Sequence, residues 1–434
     1  MPFQKLQTMK TSEKITIASM LLGPGVAYSF FYLYHAILVV KIGWALLSLL
    51  SQKKYKLPVI KQTGPIYLFI VLTALSLLYS HSPAAGLIYG FYLIIGLTIV
   101  TQIVSFCPSA YSLRNVYKLM SVVAIIITLI GLAELLTAFR WPFSEYSSFA
   151  PYFGREPKDL SHFSDLQIIL VSAMPASVYL NPNNFSVFLV IVLPFAFFMH
   201  KSSFSRIFIA LICVLILSTG SRSCVIAIFV LILIILLFYR LKFVLFAPVI
   251  FLFILFLPTL LSDISILKTG IERTSQIFTA LTRYITLDIS SSDSVSTRGG
   301  YITYGLMALK DVYYLGLGAG NSGFILELSN QGVGQISVHN FLMEIFIDYG
   351  FLGIILFLIS YVYCMISTYR GSKRNLDPFL KNFNSAVFTS LGAFIPATIA
   401  LSSAIYYFPM WILLGLAIAT MRLNKKETNG VKSG

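Results

Sequence analysis

Long, continuously apolar runs recur along nearly the whole chain and constrain its fold more than any other feature. Each run covers roughly 16 to 25 residues, which is enough for an α-helix to cross a hydrocarbon core about 30 Å thick. Hydrophobic residues make up 57% of the chain and charged residues only 11%, so a soluble domain is excluded because it would need more polar surface. The runs do not alternate with polar residues, which argues against a β-barrel. The sequence therefore predicts an all-α polytopic membrane protein.

The apolar runs predict about twelve transmembrane helices. They lie near residues 15–32, 35–50, 65–80, 84–106, 119–138, 184–199, 207–220, 222–239, 243–261, 341–368, 384–401 and 405–421. The chain is then divided into an N-terminal bundle at 1–261 with a polar outer loop at 139–183, a large loop at 262–338, C-terminal helices at 339–421 and a tail at 422–434. In the large loop we expect an amphipathic helix at 271–287, a turn-rich SSDSVSTRGG segment and a helix at 301–313.

Basic residues give the chain a net charge of +15, and their distribution indicates topology. Most of the lysines and arginines fall in short loops on one side of the predicted spans, which the positive-inside rule assigns to the cytoplasm. The tail at 422–434 lies on that side, and the loops at 139–183 and 262–338 lie on the other. We therefore expect a multi-pass protein of the cell's inner (cytoplasmic) membrane with two long extracytoplasmic loops, and no nucleic-acid partner.

Metal, cofactor and disulfide chemistry have no signature in the sequence. The cysteines, Cys107, Cys213, Cys224 and Cys364, fall in or beside predicted spans without close spacing, so we expect small core residues. The chain contains no DxD, no Walker A loop, no GxSxG elbow and no HExxH motif. These absences predict metal-independent chemistry without a cofactor.

Arg222 lies in TGSRS, at the expected outer boundary of a helix that it begins. An ionisable group at membrane depth is costly and is therefore often functional. Ser221 and Ser223 flank it and can cap the helix or donate to anionic oxygens, and a helix N-terminus favours negative charge. The three residues thus predict a phosphate-binding site. The alternative is an arginine that only extends its side chain to the lipid headgroups.

Two further motifs are expected on the same side of the membrane. Arg298 lies in STRGG, where a guanidinium fork could bind a pyrophosphate by two parallel hydrogen bonds, although a loop arginine can also be merely solvated. The nearby GLGAGN segment resembles a glycine-rich phosphate loop but has no βαβ context. We interpret it as a compact turn that shapes a substrate site through Gly318, Gly320 and Asn321.

His339 lies in SVHN, directly before the predicted span at 341–368. An imidazole with a pKa near 6.5 suits general-base chemistry near neutrality, so His339 could take a proton from an attacking sugar hydroxyl. Asn340 or Glu344 could orient the ring. The alternative is a histidine that caps the helix or lies at the membrane interface.

Together these motifs resemble the O-antigen polymerase and ligase family, the Wzy and WaaL group. The resemblance rests on NPNNFS, STGSRS, TRGGYITYGLMALKDVYYLGLGAGN and SVHNFLMEIFIDYGFLGIILFL, and covers about residues 180–368. It implies a membrane glycosyltransferase (GT-C-like) architecture of about a dozen helices. It also implies an undecaprenyl-pyrophosphate-linked glycan donor, with Arg222 and Arg298 on the pyrophosphate and His339 as the base. Asn183 of NPNNFS joins the substrate-binding candidates. Cys224 departs from the glycine that often follows SRS in this family.

The sequence therefore predicts a polymerase for O-antigen, capsule or exopolysaccharide, which joins one undecaprenyl-pyrophosphate-linked oligosaccharide to the terminal sugar of another. The expected partners are that oligosaccharide, membrane lipids, a chain-length regulator and a flippase. Three alternatives stay open at this point. The chain could be a ligase that moves finished polymer to lipid A core or another envelope acceptor, a transporter of the same lipid, or a structural membrane anchor.

Overall fold

The structure is a computed structural model that describes residues 9–29, 31–50, 63–137, 139–157, 174–199, 202–239, 293–323, 340–401 and 403–432. These residues are helical apart from 3₁₀ turns, connections and a small antiparallel hairpin of Ala27–Tyr28 with Phe31–Tyr32. The helices are α1 Thr11–Leu22, α2 Leu33–Leu50, α3 Gly64–Ser76, α4 Pro83–Phe106, α5 Ala110–Leu136, α6 Pro182–Met199, α7 Ser203–Ser218, α8 Arg222–Ile234, α9 Asp293–Asp311, α10 Phe341–Arg374, α11 Pro378–Ala397 and α12 Phe408–Lys432. A π-helical stretch, Ile235–Tyr239, extends α8.

Six of the described helices are long and apolar enough to cross a membrane, namely α4, α5, α6, α8 with its π-helical end, α10 and α11. Shorter apolar helices occur at Leu33–Trp44, Gly64–Ser76 and Ser203–Ser218. The prediction of an all-α polytopic membrane protein is thereby confirmed. The predicted span at 243–261 and the predicted helix at 271–287 lie outside the described residues.

The first predicted span, at 15–32, is wrong in its second half. Helix α1 ends at Leu22, and Gly23–Gly25 forms a 3₁₀ turn that leads into the hairpin. Pro24 has no NH group to continue the helix, and Gly23 adopts a left-handed φ of 47°. Hydropathy alone does not reveal this early end, because the GPG segment ends the helix without adding a charged residue.

Helix α11 lies at the centre of the bundle and packs against α6, α8 and α10, while α12 packs against α4. Most residues of α11 are buried, including Phe383, Leu391 and Phe394. An enclosed helix can carry polar side chains if each finds a partner. Accordingly, Ser390 donates to the Ile191 carbonyl at 2.8 Å. This inner helix therefore fixes the spacing of the helices around it.

The predicted loop 139–183 is fixed by Glu134, which is fully buried near the end of α5. Its carboxylate accepts from the backbone NH groups of Trp141 at 2.9 Å, Ala176 at 2.8 Å and Ser177 at 2.7 Å. Arg140 lies 3.7 Å away as its ionic partner. One carboxylate thus holds both ends of the predicted loop 139–183, and the sequence interpretation did not identify it.

Arg155 joins the same loop to the turn after α1. Its guanidinium donates to the carbonyls of Pro24 and Ser29, each at 3.3 Å. Burial lowers the pKa of this guanidinium, while Tyr32 and Glu145 oppose that shift. The group nevertheless stays cationic at neutral pH because an arginine pKa starts above 12. Arg155 therefore acts as a structural donor between two connections.

From Asp293 on, the segment SSDSVSTRGG is helical and not a turn-rich approach. Helix α9 begins at Asp293 and runs through Asp311, so it includes Arg298 and both following glycines. Each glycine costs a helix only about 1 kcal/mol relative to alanine, which packing can offset. Leu309 of α9 is buried with Leu317 and Ile347 in a small apolar cluster. Contact with α10 therefore stabilises a helix that local composition disfavours.

Helix α10 is interrupted at Gly350, where φ is 64° and ψ is −158°. The carbonyls of Ile347 and Asp348 accept from Leu317 and Gly318, and the Phe351 NH donates to the Tyr314 carbonyl. Irregular backbone at membrane depth is tolerated where protein satisfies its polar groups. The predicted span at 341–368 is therefore a short helix followed, after the break, by a long one. At the other end of the chain, α12 continues to Lys432 into the predicted tail.

Candidate active site

The first turns of α6, α8 and α10 are linked by one connection, residues 398–407, between α11 and α12. The Tyr407 hydroxyl donates to the Asn184 carbonyl in the first turn of α6 at 2.8 Å. Ser403 donates to Glu344 in the first turn of α10 at 2.6 Å. Helix α8 packs against α6, α11 and the 3₁₀ turn Thr398–Ala400, and in its first turn Cys224 interacts with Ser186 of α6 and with Tyr407. Three helix N-termini therefore lie around this connection, and each favours negative charge.

Arg222 begins α8, as the sequence predicts. Its side chain is exposed, whereas Ser221 and Ser223 are buried beside it. Ser221 occupies the N-cap position, but its hydroxyl makes no capping hydrogen bond and instead lies 3.5 Å from the Ser223 hydroxyl. The turn before the helix relies on Gly220, whose φ is 69°. The guanidinium is thus presented outward from a turn with buried hydroxyls.

Asn183 lies in the first turn of α6, and Asn340 lies directly before α10. Asn183 is half-buried, and its NH donates to the side chain of Asn181 at 2.8 Å. The Asn340 side chain accepts from the NH groups of Leu342 at 3.2 Å and Met343 at 3.3 Å. Asn340 is therefore the N-cap of α10. His339, the predicted base directly before it, lies outside the described residues.

Position 298 lies inside α9, not in a loop. In helical register it shares a face with Ile302 and Leu309, and Leu309 contacts α10 in the small apolar cluster. At 1.5 Å per residue, position 298 is about 16 Å along the axis from Leu309. The backbone therefore places Arg298 on the helix face that packs on α10. Its side chain lies outside what the structure describes.

The glycine-rich turn GLGAGN packs on the carboxylate of Asp348 in α10. Gly320 donates to one carboxylate oxygen at 2.8 Å, and Ser322 donates to the other at 2.8 Å. Gly316, Gly318 and Gly320 all have positive φ values, which wrap the turn around this side chain. The backbone donors that a phosphate loop would offer to a ligand are therefore engaged within the protein.

Asn321 fastens the same turn to the connection between α3 and α4. Its side chain is fully buried, accepts from the Ser82 NH at 2.8 Å and donates to the Ser80 hydroxyl at 2.6 Å. The Ser76 hydroxyl accepts from the Ala319 NH at 3.1 Å. The turn thus joins α3, α4 and α10, and the Asn321 side chain is occupied in doing so.

Glu344 lies one turn before Asp348 and is also buried. One of its oxygens accepts from Ser403, and the Tyr89 hydroxyl of α4 and the Ala404 NH also lie against this carboxylate. Tyr89 is buried as well. Sequence reasoning gave Glu344 only as a group that could orient the His339 ring, and it gave Asp348 no role. Acidic residues inside an apolar run were the available signal for a polar site.

The four cysteines are free thiols, three of them buried and Cys213 partly so. The prediction of small core residues without a disulfide is therefore confirmed. Within the described ranges, no group of three or more histidine, cysteine, aspartate or glutamate residues is placed to hold a metal ion.

Comparison with known proteins gives a family match and a similar protein. Residues 207–358 match the O-antigen ligase family model, Wzy_C, which spans α7 and α8, α9, the glycine-rich turn and the first part of α10. The chain is also 26% identical over 376 residues to the teichuronic acid biosynthesis protein TuaE of Bacillus subtilis, with 81% of this chain and 70% of that protein covered. The resemblance inferred from the motifs is thereby confirmed, and the chain carries an O-antigen ligase family domain within a polytopic membrane protein.

Proposed function

We propose that this chain is a polysaccharide polymerase that acts on the extracytoplasmic face of the cytoplasmic membrane. It would transfer a glycan from undecaprenyl pyrophosphate to the terminal sugar hydroxyl of another lipid-linked repeat unit. One observation carries the proposal: the family motifs on α6, α8 and α10 supply helix N-termini that lie around a single connection, residues 398–407. This arrangement suits a dianionic leaving group better than a neutral ligand.

The chemistry requires no metal or cofactor in this proposal. The acceptor oxygen attacks the anomeric carbon of the donor, and the bond from that carbon to the pyrophosphate oxygen breaks. Arg222 and Arg298 would stabilise the charge that develops on the pyrophosphate, because charged donors in a dry site act most strongly on the transition state. His339 would take the proton of the attacking hydroxyl.

Four side chains at the first turns of the three helices remain proposed substrate contacts, namely Asn183, Asn340, Ser221 and Ser223. The glycine-rich turn receives a different role. Because its donors and the Asn321 side chain bond within the protein, we propose that this turn positions α10 and α9 and does not bind the phosphates directly. Twelve spans in a GT-C-like arrangement, with most basic loops in the cytoplasm, complete the proposed architecture.

The test uses purified protein in proteoliposomes that contain only lipid-linked repeat units. Wild-type protein should produce a ladder of longer glycans. Arg222→Ala and His339→Ala should each remove the ladder without loss of protein from the membrane. Arg206→Ala is the matched control, because Arg206 is an exposed arginine at the opposite end of the adjacent helix α7, and it should polymerise normally. Normal ladders from Arg222→Ala would reject the assignment.

A ligase is the second candidate, and the description of the matching family favours it. A ligase would use the same donor and the same arginines but a different acceptor. It would therefore leave lipid-linked repeats unchanged in these vesicles and transfer glycan only after an envelope acceptor is added. A transporter would instead move the lipid between leaflets without joining sugars, so substrate confined to the outer leaflet would stay unchanged.

A further inference from the structure

Two buried carboxylates lie one turn apart on α10, and each holds a different connection. Asp348 accepts from two NH groups of the glycine-rich turn. Glu344 lies on the same side of the helix, one turn nearer its start, and accepts from Ser403 in the connection 398–407 at 2.6 Å. The beginning of α10 therefore fixes both neighbouring connections.

Glu344 faces donor groups from two elements besides its own helix. The Ser403 hydroxyl and the Ala404 NH come from the connection, and the Tyr89 hydroxyl comes from α4. The Glu344 side chain is buried among these groups. A buried carboxylate needs such donors, and it offers more acceptor positions than an amide does. A glutamate therefore suits this position better than the isosteric glutamine.

The connection extends this anchor to two further helices. Tyr407 of the same connection donates to the Asn184 carbonyl in the first turn of α6 at 2.8 Å. Cys224 in the first turn of α8 interacts with Tyr407 and is fully buried. One short connection thus links Glu344 to the first turns of α6 and α8, whose N-termini are part of the proposed pyrophosphate site.

We propose that Glu344 is a positioning residue of the transfer reaction. Through Ser403 it fixes the connection 398–407 and so sets the distance between the start of α10 and the starts of α6 and α8. The inference rests on the proposed function, in which the base directly precedes the cap of α10 and the pyrophosphate lies at α8. Glu344 touches no substrate in this role. An error of about 1 Å in placement can lower a rate about 100-fold, so turnover should fall while donor binding is retained.

The native thiol of Cys224 reports on the connection without any substrate. Full-length protein in vesicles is treated with N-ethylmaleimide, and modification of each cysteine is followed by mass spectrometry. Ser403→Ala and Glu344→Gln should each make modification of Cys224 at least about fivefold faster, because each weakens the bond that holds the connection. The double variant should add little to the larger single effect, because both changes remove one interaction. Cys107, at the far end of α4, should be modified at the wild-type rate.

Tyr361→Phe is the matched control on the same helix. Tyr361 is buried, and its hydroxyl donates to the Leu391 carbonyl of α11 at 2.7 Å. This variant therefore also removes a buried hydrogen bond of α10, but none to the connection. It should leave both the modification of Cys224 and the turnover unchanged.

The vesicle assay supplies the second measurement. Ser403→Ala and Glu344→Gln should lower the turnover number at least about fivefold with little change in the KM for the donor. Turnover is counted per folded protein recovered from gel filtration, so a loss of stability alone would not lower it. If Glu344→Gln misfolds, Ser403→Ala remains as the test.

Modification of Cys224 at the wild-type rate in both variants would overturn the inference, as would faster modification with unchanged turnover. The modification needs no glycosyl transfer, so the two proposals fail separately. Faster modification in the variants, together with no glycan ladder from the wild type, would contradict the polymerase and support the link between α10 and the connection.

Discussion

Replacement of Asp348 tests the claim that a buried carboxylate, and not a ligand, organises the glycine-rich turn. Asp348→Ala removes the acceptor of two backbone NH groups, those of Gly320 and Ser322. A buried donor left without a partner costs about 1 to 3 kcal/mol. Two such donors therefore predict a loss of roughly 2 to 6 kcal/mol in the local stability of the turn. Asp348→Asn keeps one oxygen and should lose about half as much.

Hydrogen exchange of protein in nanodiscs, followed by mass spectrometry of peptides across 313–323, measures this loss directly. A cost of 1 to 3 kcal/mol per amide corresponds to roughly 5- to 150-fold faster exchange of that amide. Asp311→Asn is the matched control, because Asp311 is exposed at the end of α9, close to the same turn. It should exchange like the wild type.

Polymer yield should follow the same order in the vesicle assay, with Asp348→Ala lowest, Asp348→Asn intermediate and Asp311→Asn unchanged. The reason is that the turn holds α9 and the first part of α10 together; α9 carries the proposed catalytic residue Arg298, and α10 begins directly after its N-cap Asn340, a proposed substrate contact. If Gly320 and Ser322 exchange at the wild-type rate in Asp348→Ala, the carboxylate does not hold the turn and the reasoning fails.

Three other substitutions test the surrounding structure. Gly350→Ala should lower the free energy of unfolding by about 3 kcal/mol or more, because the positive φ is strained for alanine and the added Cβ would meet a main-chain oxygen. The control is Gly43→Ala, which has open space around it. This variant should leave the unfolding midpoint in detergent unchanged or raise it. Glu134→Ala should lower the stability of the loop 139–183 by about 3 kcal/mol or more, because three backbone donors lose their acceptor. Faster proteolysis of this loop would show the loss. Replacement of the exposed Glu156 by glutamine should leave the proteolysis rate unchanged. Tyr407→Phe should lower the unfolding midpoint slightly, by about 1 kcal/mol, and a larger drop in polymer yield than in stability would show that the lost bond positions the site.

The sequence alone predicted those helices that are marked by a continuous apolar run with clear boundaries. The span predicted at 84–106 is helix Pro83–Phe106, and Arg222 begins a helix as expected. Both follow from an apolar run with a clear boundary. The first span failed because a GPG turn interrupts the backbone without changing hydropathy. The helix around Arg298 was missed because its stability comes from packing on α10 and not from its own residues.

The candidate site was predicted only in part, for a similar physical reason. The sequence motifs named the groups that could meet a phosphate, since arginine and helix N-termini have a recognisable chemistry. Asp348 and Glu134 instead bond to backbone NH groups far away in sequence, and no spacing rule encodes such contacts. The break at Gly350 likewise depends on a neighbouring turn that satisfies the freed backbone.

Gly316 and Gly350 lie against each other's neighbouring main chain, so neither position has room for a side chain. This limits how the protein can be altered. A side chain at Gly316 would lie 2.6 Å from the Asp348 carbonyl oxygen, and one at Gly350 would meet the Tyr314 carbonyl oxygen. In both cases the obstacle is main chain, so no second mutation that trims a side chain can relieve it. Libraries made to change the substrate of the proposed reaction should therefore keep both glycines invariant and place their diversity near the first turns of α6 and α8, with Arg222 retained.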